Sequence, residues 1–136
     1  APSFQFLLYP WVDMSGDSDS IRRFGKGLIL TEDTMRFFRN AYVPKDAESQ
    51  ALKTSPMLCE DMSSTPDTLV VTAEYDVLRD EGLAFVEKLQ QAKVSVSHLH
   101  LPDCTHGFIS TGKFSPATGR RLNEVAVMLA KYAASI

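Results

Sequence analysis

The sequence is poor in cysteine, with only Cys59 and Cys104 among 136 residues. Their spacing matches neither a zinc-binding pattern nor the framework of a small disulfide-rich domain. We therefore interpret both as free thiols in a reducing compartment, which favours a cytoplasmic protein. No motif in the sequence indicates a cofactor, and we expect none.

Basic residues are also few, since 14 lysines and arginines stand against 17 aspartates and glutamates, a net charge of −3. Domains that bind nucleic acid carry a basic surface instead, so we expect no nucleic-acid partner. No apolar run approaches the roughly 18 residues of a transmembrane helix, so we expect no membrane span. With 44% hydrophobic residues, the chain is long enough for one core and one domain.

Short apolar runs alternate with amphipathic stretches along the chain. Three runs are predicted as strands because they are short and rich in β-branched, aliphatic or aromatic residues: Phe4–Tyr9, Thr68–Thr72 and Val94–Leu101. Helices are predicted from the N-cap Thr31 to just before Pro44, over Leu83–Lys93, and from about Pro116 to Ala134. This alternation indicates an α/β fold, a parallel sheet with flanking helices.

The segments between these elements are more polar. Residues 13–20 are predicted as a loop of turn formers, and residues 44–67 as a loop with one or two turns of helix. In the helix that Thr31 begins, Met35, Phe38 and Tyr42 form an apolar stripe at helical spacing.

The first strand, "FQFLLY", carries no charge and is more apolar than a solvent-facing edge strand should be. In a complete protein we expect another strand to cover that edge. We therefore expect part of the sheet to lie outside this chain, on a missing N-terminal segment or on a second chain along Phe4–Tyr9.

Two ionisable residues follow the ends of neighbouring strands, where open parallel sheets bind ligands. Asp76 comes just after the second strand, and His106 comes a few residues after the third. An aspartate that accepts Nδ1–H of a histidine leaves Nε2 free as a general base. The alternatives are that Asp76 only caps a helix and that His106 is a loop histidine bonded to backbone.

Other residues suggest weaker alternatives. His98 and His100 share one face of a strand close to Asp103 and Cys104, a set that zinc can use. Histidines on an exposed strand face are usually solvated, so we expect no metal. A nucleophilic pair of Cys104 and His106 is disfavoured because residues so close in a loop seldom align.

Four segments, "LLYPWVD", "TSPML", "LVVTAEYDVLRDEG" and "HGF", resemble the C-terminal half of the hormone-sensitive-lipase-like carboxylesterases. The resemblance runs from about Phe4 onward. It implies that residues 1–136 are the C-terminal part of a single α/β-hydrolase domain, with about three strands. It also implies that Asp76 is the acid and His106 the base of a catalytic triad, with Val77 where the family usually has proline.

The resemblance implies a carboxylic ester hydrolase acting on a small, neutral, hydrophobic ester. The chain, however, contains neither the nucleophile motif G-x-S-x-G nor an HGGG-type oxyanion loop. "SGDSDS" lacks the second glycine and is interpreted as a polar turn. We expect the nucleophilic serine on the missing N-terminal part or second chain, and this chain alone to be inactive.

The other acids of "AEYDVLRDEG" receive structural roles. Glu74 is expected to be solvated or paired, whereas Asp80 and Glu81 fall in the first turn of a helix and favour its dipole. The candidate substrate-binding residues are Trp11, Phe24 and Phe108. Core packing is the alternative for these aromatic residues, and Phe108 is expected to pack beside the histidine.

Three expectations concern organisation and partners. Residues from about 14 to 55 are expected to contribute to a cap or substrate pocket. A homodimer through Val94–Leu101 is expected from the resemblance. The alternative function is a non-catalytic ligand-binding or interaction module derived from the same fold, and the presence of both Asp76 and His106 argues against it.

Overall fold

Three parallel strands form the sheet at the centre of the molecule: β1 (Phe4–Leu8), β2 (Asp67–Tyr75) and β3 (Val96–Thr105). The computed structural model describes residues 2–14, 16–43, 51–111 and 115–134. The spatial order is β1-β2-β3, so the central strand β2 pairs with both others. The predicted α/β fold with a parallel sheet is confirmed.

Six helices surround this sheet in the described part of the chain: α1 (Asp19–Phe24), α2 (Glu32–Tyr42), α3 (Ala51–Thr54), α4 (Arg79–Gln91), α5 (Phe108–Thr111) and α6 (Pro116–Ala133). A 3-10 turn, Pro56–Leu58, follows α3. These short elements agree with the one or two helical turns expected in 44–67, of which residues 44–50 lie outside the described ranges.

The central strand separates two apolar cores. Val71 and Ala73 of β2 pack with Phe108 and with Val125 of α6 on one face. On the other face, Phe85 and Leu89 of α4 pack with Val12 and Met62. Burial of both faces explains why β2 is a nearly continuous apolar run rather than an alternating one.

Several boundaries differ from the sequence prediction, and the largest differences are at α1, α4 and β3. The stretch 13–20, predicted as loop, contains the start of α1, where the Ser18 hydroxyl accepts the Ile21 N–H at 3.3 Å. Helix α4 begins at Arg79, one turn before the predicted Leu83. Strand β3 continues past Leu101 to Thr105 although it contains Pro102, which an edge strand tolerates because its missing N–H need not pair.

Helix α2 begins as predicted, with the Thr31 hydroxyl accepting the Thr34 N–H at 3.2 Å. Of its apolar stripe only Met35 is buried, whereas Phe38 is 52% and Tyr42 is 66% exposed. Helical spacing identifies an apolar face, but it does not supply a neighbour to cover that face.

The two edges of the sheet are β1 and β3. Within the described residues β1 pairs on one side only, and its five residues are all partly exposed. The homodimer expected through β3 stays a prediction. No helix among the described residues is both long and apolar enough to cross a membrane.

Candidate active site

Asp76 lies directly after β2 and is 2% exposed. Its Oδ2 atom lies 2.9 Å from Nδ1 of His106. Its Oδ1 atom accepts the backbone N–H of Leu78 at 2.9 Å, where the chain turns into α4. The carboxylate therefore both stabilises the turn before the helix and contacts the histidine, so the two alternatives for Asp76 do not exclude each other.

His106 follows the last residue of β3 and precedes Gly107, whose φ of +75° allows the chain to turn at once into α5. The imidazole is partly buried, with 23% of the side chain exposed. Within the described ranges, Nε2 of His106 has no hydrogen-bond partner. Bonding at Nδ1 and a free Nε2 are the arrangement that lets an imidazole take a proton from a hydroxyl.

The other acids around the end of β2 are held in a structural network. Glu74 accepts from Arg79 at 2.7 Å and contacts Nε2 of His100 at 3.1 Å. Arg79 also donates to Asp80 at 2.8 Å, and Asp80 accepts the Ser20 N–H at 2.8 Å. Glu74 is therefore paired, one of its two expected states, and the network fixes the loop that carries Asp76 against α1.

Glu81 lies in the first turn of α4, as predicted, but its role was missed. It is 7% exposed and accepts two backbone N–H groups, from Val12 at 2.7 Å and from Asp13 at 3.1 Å. Burial raises the pKa of the Glu81 carboxyl to about 8, against the opposing effect of these two hydrogen bonds. No local signal marks this role, because the donors lie 68 and 69 residues earlier in the chain.

The three candidate substrate-binding residues occupy different environments. Trp11 lines two adjoining pockets and donates from Nε1 to the Asp13 carbonyl at 2.8 Å. The Phe24 ring meets Tyr75 edge-on at 5.9 Å and lies under the Arg79 guanidinium. Phe108 is 1% exposed and packs in the core beside α6.

Both pockets beside Trp11 lie against α2. The smaller one includes Met35 and Arg39, and the larger one includes Phe38 and Tyr42. Neither is lined by Asp76 or His106. The pair of ionisable residues and the apolar pockets are thus separate features of the described structure.

The two strand histidines are partly buried, which corrects the expectation that they are solvated. Nε2 of His98 and Nδ1 of His100 each lie 2.9 Å from the Thr72 hydroxyl oxygen. Burial, with a smaller effect of His100, lowers the pKa of His98. Among the described residues, no three His, Cys, Asp or Glu side chains are placed to hold a metal ion.

Cys104 is 4% exposed, and burial together with the charge of Asp103 raises the pKa of its thiol to about 11. A thiol with such a pKa is protonated at neutral pH and is a poor nucleophile. In the described structure Sγ of Cys104 contacts Asp103 at 3.8 Å rather than His106, so neither geometry nor burial supports a nucleophilic Cys104–His106 pair.

Comparison with known proteins identifies the family that this fold belongs to. A family model described as the α/β-hydrolase fold matches residues 1–110. The chain is 31% identical over 125 residues to the carboxylic ester hydrolase LipN of Mycobacterium tuberculosis, covering 91% of this chain and 33% of that protein. It is 34% identical over 112 residues to the ethyl acetate hydrolase of Pseudomonas putida, covering 82% and 35%.

Comparison with solved structures gives the same fold and family. The chain superposes on an ester hydrolase from the metagenome of Lake Arreo with a TM-score of 0.84 and 38% identity, over 97% of this chain and 42% of the other. The chain therefore belongs to the α/β-hydrolase fold family, in its carboxylesterase- and lipase-like, hormone-sensitive-lipase-like branch. It spans about a third of the length of the two curated relatives.

Proposed function

We propose that this chain is the C-terminal part of a carboxylic ester hydrolase and supplies two members of its catalytic triad. Asp76 is the acid and His106 the general base. The nucleophilic serine and the main oxyanion donors lie outside these 136 residues, on an N-terminal segment or a second chain. The observation that carries the proposal is the 2.9 Å contact between Asp76 and Nδ1 of His106, with Nε2 free in the described structure.

The chemistry follows from the geometry of the pair. When the serine oxygen attacks the ester carbonyl, its proton passes to Nε2 of His106. The buried carboxylate of Asp76 stabilises the resulting imidazolium and holds its orientation. His106 then gives the proton to the departing alkoxide, and the acyl-serine is hydrolysed by a water that His106 deprotonates.

The remainder of the hydrolase sheet is proposed to continue from the free edge of β1. Among the described residues that strand is paired on one side only, so it offers backbone groups and apolar side chains to an added strand. Residues from about 14 to 55 are proposed to form part of the cap over the site, with Trp11 and Phe24 as contacts for a small hydrophobic ester. Trp11 lines a pocket together with the exposed Phe38 and Tyr42 of α2, which supports the Trp11 part of this proposal.

The test is a chimera in which this chain replaces the segment that it superposes on in the Lake Arreo ester hydrolase. We expect the chimera to hydrolyse p-nitrophenyl acetate and butyrate. His106→Ala is expected to lower kcat by at least about a thousandfold. His98→Ala is the matched control, since it removes a partly buried histidine that bonds Thr72 and not Asp76.

A folded chimera without ester turnover would contradict the proposal, as would turnover that survives His106→Ala. Saturable binding of p-nitrophenyl esters without product would instead support the alternative of a ligand-binding module. The 136-residue chain expressed alone is expected to release no p-nitrophenol above the His106→Ala background.

A further inference from the structure

The residue after β1, Tyr9, has a backbone φ of +37°. Residues other than glycine rarely adopt a positive φ, and bulky residues do so least. A tyrosine with a positive φ outside a standard turn is therefore strained. Among the described non-glycine residues only Lys93 shares this feature, and Lys93 follows the last turn of α4, where a left-handed residue commonly ends a helix. Tyr9 ends no helix, so its conformation needs another explanation.

The positive φ changes the face of the sheet that the tyrosine ring occupies. Successive side chains of a strand point to opposite faces. Leu7 packs against the core beside α4, and Leu8 packs against the core beside α6. Alternation would return Tyr9 to the side of Leu7, yet Tyr9 packs in the same core as Leu8. The hydrogen bond from the Tyr9 N–H to the Val71 carbonyl, at 2.7 Å, holds the backbone in this arrangement.

On that face the ring meets the imidazole of His106. The two ring centroids are 4.4 Å apart with an interplanar angle of 54°. The buried ring of Phe108 meets Tyr9 edge-on at 5.6 Å, so the tyrosine ring is itself held in place. His106 is thus held by Asp76 at Nδ1 and is contacted by the tilted aromatic ring of Tyr9.

We propose that Tyr9 is a positioning residue for His106, and that its strained backbone serves to place the aromatic ring against the imidazole. This inference rests on the proposed function for its catalytic consequence, but the placement of the imidazole is measurable without turnover. The ring limits rotation of the imidazole about the Asp76 contact. The position and direction of Nε2 are therefore kept constant. Misplacing a reacting group by about 1 Å costs on the order of a hundredfold in rate.

We assign the positioning to the ring of Tyr9 and not to its hydroxyl, because the contact with His106 is between the two rings. Burial, with a smaller effect of the Asp76 charge, raises the pKa of Tyr9 above its ordinary value of 10. The phenol is therefore neutral at the pH where imidazole acts as a base. Tyr9→Phe, which keeps the ring, is the conservative variant.

Two substitutions of Tyr9 remove the ring but differ in the backbone strain that they leave at a positive φ. Tyr9→Leu leaves a side chain that is as strained at this φ as tyrosine, whereas Tyr9→Asn introduces a residue that tolerates positive φ. An effect common to both comes from the lost ring and not from the backbone. Tyr132→Leu is the matched control, because Tyr132 packs against Phe4 at 4.7 Å near the opposite end of β1.

The experiment measures kcat and KM of the chimera, and the Nδ1–H proton resonance of His106 by NMR, for each variant. We expect Tyr9→Leu and Tyr9→Asn to lower kcat by about ten- to a hundredfold with KM changed less than about threefold, and to broaden or shift the Nδ1–H resonance. Tyr9→Phe is expected to restore both readouts, and Tyr132→Leu to leave them unchanged.

An unchanged Nδ1–H resonance in both ring-deleted variants would overturn the inference, as would a loss of kcat that Tyr9→Phe fails to restore. If the parent chimera shows no turnover, the proposed function fails and the resonance alone decides. A resonance that is perturbed in the two ring-deleted variants and retained in Tyr9→Phe then still supports the positioning role.

Discussion

Asp76 and His106 are 30 residues apart in the sequence, yet Oδ2 of Asp76 lies 2.9 Å from Nδ1 of His106. The intervening chain is one crossover, in which α4 connects the parallel strands β2 and β3. Both residues follow the carboxyl ends of their strands, so the crossover returns them to the same edge of the sheet. The Leu78 N–H holds the other carboxylate oxygen and thereby orients the acid.

Replacing the acid by its amide tests the electrostatic part of this relationship. Asp76→Asn in the chimera keeps an oxygen for the Leu78 N–H but removes the charge that stabilises the imidazolium. We expect kcat to fall by about ten-thousandfold at neutral pH, measured by release of p-nitrophenol. Asp103→Asn is the control, because Asp103 is near His106 in sequence but pairs with Arg121. A loss of less than tenfold in Asp76→Asn would contradict the assigned role.

The two cysteines are expected to react at very different rates. Cys59 is partly exposed, whereas Cys104 is buried with a thiol pKa raised to about 11. At pH 8 we expect iodoacetamide to alkylate Cys59 at least about tenfold faster, because the thiolate is the nucleophile. Peptide mass mapping of the native chimera over time measures both rates, and unfolding in urea should equalise them. Equal rates in the native protein would show that the burial of Cys104 is incorrect.

Helix α4 packs tightly against the sheet at Gly82. A Cβ atom added there meets Cγ2 of Thr72 at 3.0 Å. Thr72 has little freedom to move away, because its hydroxyl contacts both His98 and His100. Gly82→Ala should therefore lower the free energy of unfolding by about 1–3 kcal/mol, despite the better helix propensity of alanine.

Thr72→Ser provides the control for this substitution, since it removes Cγ2 and keeps the hydroxyl. In the Thr72→Ser background, Gly82→Ala should be at least about 1 kcal/mol less destabilising than in the parent. Urea denaturation of the four proteins completes the cycle. Additive effects of the two substitutions would exclude the steric explanation.

The raised pKa of the buried Glu81 carboxyl predicts how the free energy of unfolding depends on pH. Its folded-state pKa of about 8 lies above its ordinary value of 4.5. The folded protein therefore binds more protons than the unfolded chain between these values, and the Glu81 contribution to the free energy of unfolding falls as pH rises through this window. The slope for one group is at most about 1.4 kcal/mol per pH unit.

Glu81→Gln should remove that slope while keeping an oxygen for the Val12 and Asp13 N–H groups. The stability of the variant relative to the parent is thus expected to rise between pH 5 and pH 8, measured by urea denaturation of the chimera. Glu87→Gln, an exposed glutamate of the same helix, should show no such change. A pH-independent difference between Glu81→Gln and the parent would mean that Glu81 is not protonated in the folded state.

The sequence predicted what depends on local pattern. The closeness of Asp76 and His106 was predictable because strand ends are visible as the limits of apolar runs, and the parallel topology brings such ends together. The Glu81 contacts were missed because hydrogen bonds to backbone donors nearly 70 residues away leave no trace in local composition. The helix α1 was missed because six residues are too few to display a helical stripe.

Tyr9 illustrates the same limit on the strand side. Alternation predicts the face of each strand residue, and the strain that places Tyr9 beside His106 is an exception to alternation. Phe38 and Tyr42 were correctly placed on one stripe of a helix, but the pattern alone does not say whether a neighbour covers them. Whether Phe38 and Tyr42 are covered depends on the elements that pack beside α2, which the local sequence pattern does not specify.

The most direct test of the central claim is to identify the atom that a p-nitrophenyl alkylphosphonate modifies in the chimera. Such a reagent forms a phosphorus–oxygen bond to an activated serine and releases p-nitrophenolate. We expect intact and peptide mass spectrometry to place the label outside this chain, and His106→Gln to slow labelling by at least about a thousandfold. Labelling of a residue within these 136 residues, or an unchanged rate in His106→Gln, would contradict the account.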